Sequence, residues 1–175
     1  MKTNKFLFAL AFIVMAMTHI NAQNLTDMIA DWERAKAYTQ EYMEAMPDDK
    51  FDFKATPEVR SFAQQMLHIT DANYGFMAAI AATESPVAFG ESEKTEDTSK
   101  THVIELVNAG YDYVIDGLKN LSDDQLAESV NLFGQFEMTK AKALDKMFEH
   151  QTHHRGQATI YLRLAGVKPP NEKLF

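Results

Sequence analysis

The 175-residue chain contains no cysteine, which removes thiolate metal ligands, a catalytic thiol and disulfides together. Any metal centre here is therefore built from His, Asp and Glu. Basic charge is also scarce. Seventeen Lys and Arg stand against 25 Asp and Glu with no basic cluster, a balance that opposes nucleic-acid backbones and anionic membrane surfaces. No nucleic-acid partner is expected. No apolar run approaches the roughly 20 residues of a membrane span.

The apolar run from Phe6 to Met17 has twelve residues. Lys2 and Lys5 precede it, polar Thr18 and His19 follow, and Ala22 is a small residue suited to the position before a cleavage point. This pattern predicts a secretory signal peptide over 1–22, cut between Ala22 and Gln23. The mature protein is then exported, periplasmic or secreted, with no stable membrane insertion. A lipoprotein would need a cysteine just after the signal. Residues 23–175 retain 15 basic and all 25 acidic residues, a formal charge of about −10, and have the size of one domain with one core.

That domain reads as all helix. Met28, Ile29, Trp32, Ala35, Tyr42, Met43 and Met46 recur at helical spacing between Leu25 and Met46, with Thr26 as a cap and Pro47 as the stop. Thr56-Pro57-Glu58 predicts a second helix start, running to about Ala82 with Phe62, Met66, Ile69, Asn73, Phe76 and Ile80 on one stripe. The stretch from Ser85 to Lys100 reads as a surface loop. A third helix carries Val103, Leu106, Val107, Tyr111, Val114, Ile115 and Leu118. Residues 125–136 are ambiguous, compatible with a short extended crossover. A fourth helix runs from about Thr139 to Leu164 and stops at Gly166, before Pro169-Pro170. Four such helices predict an all-α four-helix bundle, in which facing helices project ligands inward.

His150 and His154 stand four apart in the run Phe148 to Gln157. On a helix their Cβ atoms lie about 6 Å apart on one face, so two rings can converge on an ion while a third comes from another helix. The pair is equally compatible with a solvated face, and His68, eighty-odd residues upstream, with a core-edge histidine satisfied by a backbone carbonyl. His153 makes a competing pair with His150 but is turned by about 100° from His154, toward the second shell or rim. A zincin would place Glu where Gln151 stands. A di-iron carboxylate bundle would need two Glu-x-x-His pairs, and Thr152 stands three beyond Glu149. A phosphate loop and a nucleophile elbow are missing as well.

The segment TPEVRSFAQQMLHITDANYGF from Thr56 to Phe76, together with HQTHHRGQATIYLRLAG from His150 to Gly166, resembles the DinB family of four-helix-bundle metalloproteins (DinB/YfiT-like). There a helix-two His in a pattern like L-H-I joins two from H-x-x-x-H-R-G-Q on the last long helix. The resemblance spans nearly the whole mature chain and implies one divalent transition metal, zinc, nickel or iron, held by His68, His150 and His154. Asp71 or Gln157 could support a ligand nitrogen or the metal-bound water. Arg155 is a candidate for a substrate carboxylate or a structural acid, Gly156 for a close helix approach, and Tyr161 for the cavity wall. Met43, Met46, Met66 and Met77 read as core filler.

Relatives implied by the resemblance include thiol-dependent S-transferases and a maleylpyruvate isomerase. The expected function is a metal-dependent enzyme, hydrolase or transferase, acting on an unidentified small molecule through an open coordination position. The first alternative is a non-catalytic envelope protein that binds metal or a small ligand. The second is a dimerising helical module, a homodimer with exposed Tyr38, Tyr42 and Tyr113 on its partner surface.

Overall fold

The computed structural model describes residues 25–175; the expected signal segment, 1–22, lies outside the described residues. Four helices, α1 (Leu25–Ala45), α2 (Phe62–Ala81), α3 (Lys100–Lys119) and α4 (Lys140–Leu164), form the bundle. Both α1 and α2 pack against α3 and α4, so α1 and α2 lie diagonally across it. Among the described residues no helix is long and apolar enough to cross a membrane.

The start of α2 differs from the sequence expectation. Thr56-Pro57-Glu58 precedes the helix, which begins at Phe62 behind a capping box. Gln64 donates its backbone N–H to the Ser61 hydroxyl at 3.2 Å, and Ser61 donates its own to the Gln64 side chain at 3.0 Å. The Phe51–Phe53 segment folds back beneath it, its carbonyls accepting the Phe62 and Ala63 N–H groups at 3.0 and 2.8 Å. Tertiary contacts thus take the free donors of the first turn, displacing a start that local preference placed earlier.

The ambiguous stretch resolves into a 3₁₀ turn, Asp123–Ala127, and an antiparallel hairpin of β1 (Ser129–Leu132) and β2 (Phe136–Thr139). Thr139 then caps α4 through its side chain. At the far end Val167 donates to the Leu162 carbonyl at 2.8 Å and Gly166 to that of Arg163 at 3.1 Å, with Gly166 at φ 81°. That is a Schellman stop, where a glycine accepts the left-handed conformation.

Trp32, Tyr111, Leu118 and Met147 are among the core residues, as are the four methionines read as filler. Gly110 packs on Thr70, where an added Cβ would lie 2.9 Å from the threonine methyl. Gly156, expected to serve such an approach, faces open space. Two of the three tyrosines assigned to a partner surface are buried. Tyr42 hydrogen-bonds Thr159 at 2.8 Å, and the Arg155 guanidinium stands 4.6 Å over the Tyr38 ring. Arg155 belongs to this interior. It donates to the Gln151 side-chain oxygen at 2.9 Å, which also accepts from the Tyr111 hydroxyl at 3.1 Å. One residue past His154, it is turned away from that histidine's face and toward Gln151 and Tyr38.

Candidate metal centre

Phe62 meets Tyr161, Gln65 meets His154, and Phe76 meets His150, so α2 and α4 run antiparallel with a groove between them. His68 of α2 and His150 and His154 of α4 meet in that groove, each offering one ligand atom within 4.8 Å of the others. Ring centroids are 4.5 Å apart for His68–His154, 5.2 Å for His68–His150 and 4.3 Å for His150–His154. No carboxylate belongs to the group.

His150 and His154 are poised as neutral donors. Burial, reinforced by His68 and His153, pushes His150 down to about 4, and burial with His150 and His68 pushes His154 down to about 3. His150 Nδ1 is buried without a hydrogen-bond partner among the described residues. Three imidazoles brought together, with a buried nitrogen left over on His150, fit a borderline divalent cation.

Two supporting contacts were not anticipated from sequence. Glu93 accepts from His68 Nδ1 at 3.1 Å, and its other oxygen accepts from Arg60 Nε at 2.6 Å. A carboxylate only accepts, so Nδ1 carries a proton and Nε2 is the His68 nitrogen that would meet an ion. The Gln65 amide nitrogen lies 2.8 Å from His154 Nδ1 and also donates to the Gln157 side-chain oxygen; ligation through His154 Nε2 would take the amide turned over, its oxygen accepting from Nδ1–H. Glu93 lies in the long loop between α2 and α3, in the 3₁₀ turn Ser92–Lys94. The sequence signal for it was weak: an acid in an unusually long connection.

Asp71 fixes that turn rather than touching a ligand. Its carboxylate, 3% exposed, accepts the Ser92 and Glu93 N–H groups at 3.0 and 2.9 Å. It thereby seats Glu93 against His68. Gln157 reaches the ligands only through Gln65 and contacts His153 Nε2 at 3.0 Å. His153 is exposed, its ring centroid 4.9 Å from that of His154, at the rim. Tyr161 donates to the Arg60 carbonyl at 2.7 Å and, with Arg60, Gln65, Glu93 and Gln157, lines an open cleft of about 670 Å³ beside the centre.

The depressed histidines make the metal-free chain acid-sensitive. Their folded-state values lie below the ordinary value of 6.5, so between the two the unfolded chain binds more protons than the folded one. The stability they contribute is full above pH 6.5 and is lost as pH falls through about 4 and then 3. Thermal melts of chelator-treated protein are expected to show a lower Tm at pH 4.5 than at pH 7, and His150→Phe should narrow the gap. An unchanged gap would place the acid sensitivity elsewhere.

Relatives share this architecture. YrdA of Bacillus subtilis (strain 168), itself uncharacterized, is 26% identical over 153 residues, covering 85% of this chain and 87% of that protein. The crystal structure of a DinB-like protein from Bacillus cereus ATCC 10987 superposes with a TM-score of 0.72 at 19% identity, over 83% of this chain and 95% of that one. YfiT from Bacillus subtilis, described as a probable metal-dependent hydrolase with an unusual four-helix bundle topology, gives 0.65 at 19% identity, over 84% and 90%. The sequence model of the DinB family matches residues 18–174, a span that includes all three histidines and all four helices, and the chain belongs to that family.

Proposed function

We propose that this chain is a metal-dependent enzyme of hydrolase or transferase type, working on a small molecule in the groove between α2 and α4. The observation that carries the reading is the meeting of three imidazoles with no carboxylate in the group. Three protein ligands leave a tetrahedral ion one open position. When bound, a divalent ion such as zinc, nickel or iron supplies Lewis acidity there and lowers the pKa of a water or thiol. The chain's own residues orient and hold. Glu93 keeps the His68 proton on Nδ1, Gln65 fixes the rotation of His154, and the cleft beside them admits substrate. YfiT's description as a probable metal-dependent hydrolase is consistent with this chemistry.

The competing reading, a non-catalytic metal binder, gains weight if a fourth protein ligand closes the site. Asp71, three residues beyond His68, has both its oxygens engaged by backbone N–H groups, which favours the open site. The test is elemental analysis of untagged protein, coupled to a hydrolase and transferase substrate screen with and without chelator. About one equivalent of metal and a chelator-sensitive turnover are expected. Metal below a tenth of an equivalent, or turnover indifferent to chelator, would sink the proposal.

A further inference from the structure

Beyond the histidines, at the end of the groove away from Arg60, three phenylalanines step out from the ligands to the surface. Phe76 of α2 lies 6.1 Å from the His150 ring, Phe133 lies 5.1 Å from Phe76 at 86°, and Phe89 lies 6.0 Å from Phe133 at 54°. The outer two are open to solvent, Phe89 at 69% and Phe133 at 46%. Phe89 rests on Gly75, where an added Cβ would come within 3.1 Å of its ring.

Phe133 is the informative residue. It occupies φ +56°, followed by Gly134 at φ +70°, and Gln135 donates to the Leu132 carbonyl at 3.1 Å across them. Positive φ at both central residues is the signature of a type I′ turn, for which Asn-Gly is the favoured pair. A bulky aromatic there is a conformational outlier, and its ring is half in water. Folding alone favours neither choice. Strain held at a site's edge points to use.

We propose that Phe76, Phe89 and Phe133 form the apolar subsite of the histidine centre, and that its substrate carries a ring-sized apolar group that lies on this shelf. The inference rests on the metal-enzyme reading above and adds the substrate's chemical class. The rings form a series leading away from the histidines, edge-to-face between Phe76 and Phe133 and tilted between Phe133 and Phe89. That arrangement suits an aromatic or alicyclic group in offset or edge contact rather than a cation, which is held by ring faces gathered around one point.

Two hydroxamates separate shelf from centre, because benzohydroxamate and acetohydroxamate share a metal-chelating head and differ in a phenyl ring against a methyl. Binding to zinc-loaded protein is measured by calorimetry. Benzohydroxamate should bind about tenfold tighter than acetohydroxamate. Phe133→Asn should bring that ratio below about threefold while Tm holds or rises, because it supplies the preferred turn pair. Phe89→Ala, at an exposed ring, should reduce the ratio in the same direction. Equal affinities in the wild type, or a ratio that survives Phe133→Asn, overturn the shelf and leave the metal reading standing. If neither hydroxamate binds, or zinc does not load, the metal reading fails and the shelf fails with it.

Discussion

His154→Ala is expected to abolish stoichiometric metal binding while leaving the bundle folded. The ring is one of three candidate ligands whose ligand atoms lie within 4.8 Å of one another, a group that includes no carboxylate. Removing a residue that merely orients a ligand already costs about 10–100-fold in metal affinity. Loss of the ligand itself should exceed about 100-fold on the same scale. Glu93→Gln supplies the graded comparison. It keeps the shape but weakens the acceptor for His68 Nδ1, and should stay within that 10–100-fold range. Competition against a chromophoric chelator reads both, with circular dichroism as the check on folding. Retention of wild-type affinity by His154→Ala would remove the histidine centre from consideration.

The second large effect is on stability. Trp32→Ala is expected to cost about 3–5 kcal/mol, the usual range for truncating a buried large aromatic. Trp32 is 2% exposed, and its ring meets Tyr111 of α3 at 5.7 Å and Phe148 of α4 at 5.4 Å. It ties α1 to both neighbours at once. Phe148 is two residues before His150, so the same contact anchors the stretch of α4 that carries the ligands. Urea denaturation should show a lower midpoint with little change in slope. A loss under about 1 kcal/mol would mean that the site collapses around the vacancy better than its packing indicates.

Much of the bundle was legible because helical periodicity reports burial directly. Met28, Trp32 and Met43 on α1, and Val103, Val107, Tyr111 and Val114 on α3, are both periodic and buried. What was not legible depends on contacts between distant segments. The start of α2 moved because Phe51 and Phe53 supply carbonyls to its first turn. The hairpin was hidden because four-residue strands carry too little alternation to be read. At the centre, the spacing of His150 and His154 was equally compatible with a solvated face, and it was the family resemblance that set them beside His68. Glu93 and Gln65 could not be named, because a long loop folding back and the side of a helix leave no fixed spacing to recognise. Arg155, for which a substrate carboxylate and an acid of the bundle were both considered, shows that adjacency along the chain is not adjacency in direction. Its neighbour His154 faces the groove while Arg155 stands over Tyr38.

That division of α4 reaches beyond this molecule. Gln151 and Arg155 are engaged with the interior, whereas His150 and His154 look into a groove between neighbouring helices. Groups that fix the fold and groups that would do chemistry interleave on one helix yet hardly share partners. Substitutions along the groove wall can then accumulate over generations under one selective pressure while the interior answers to another. A lineage built this way can exchange substrates without first having to re-evolve a scaffold.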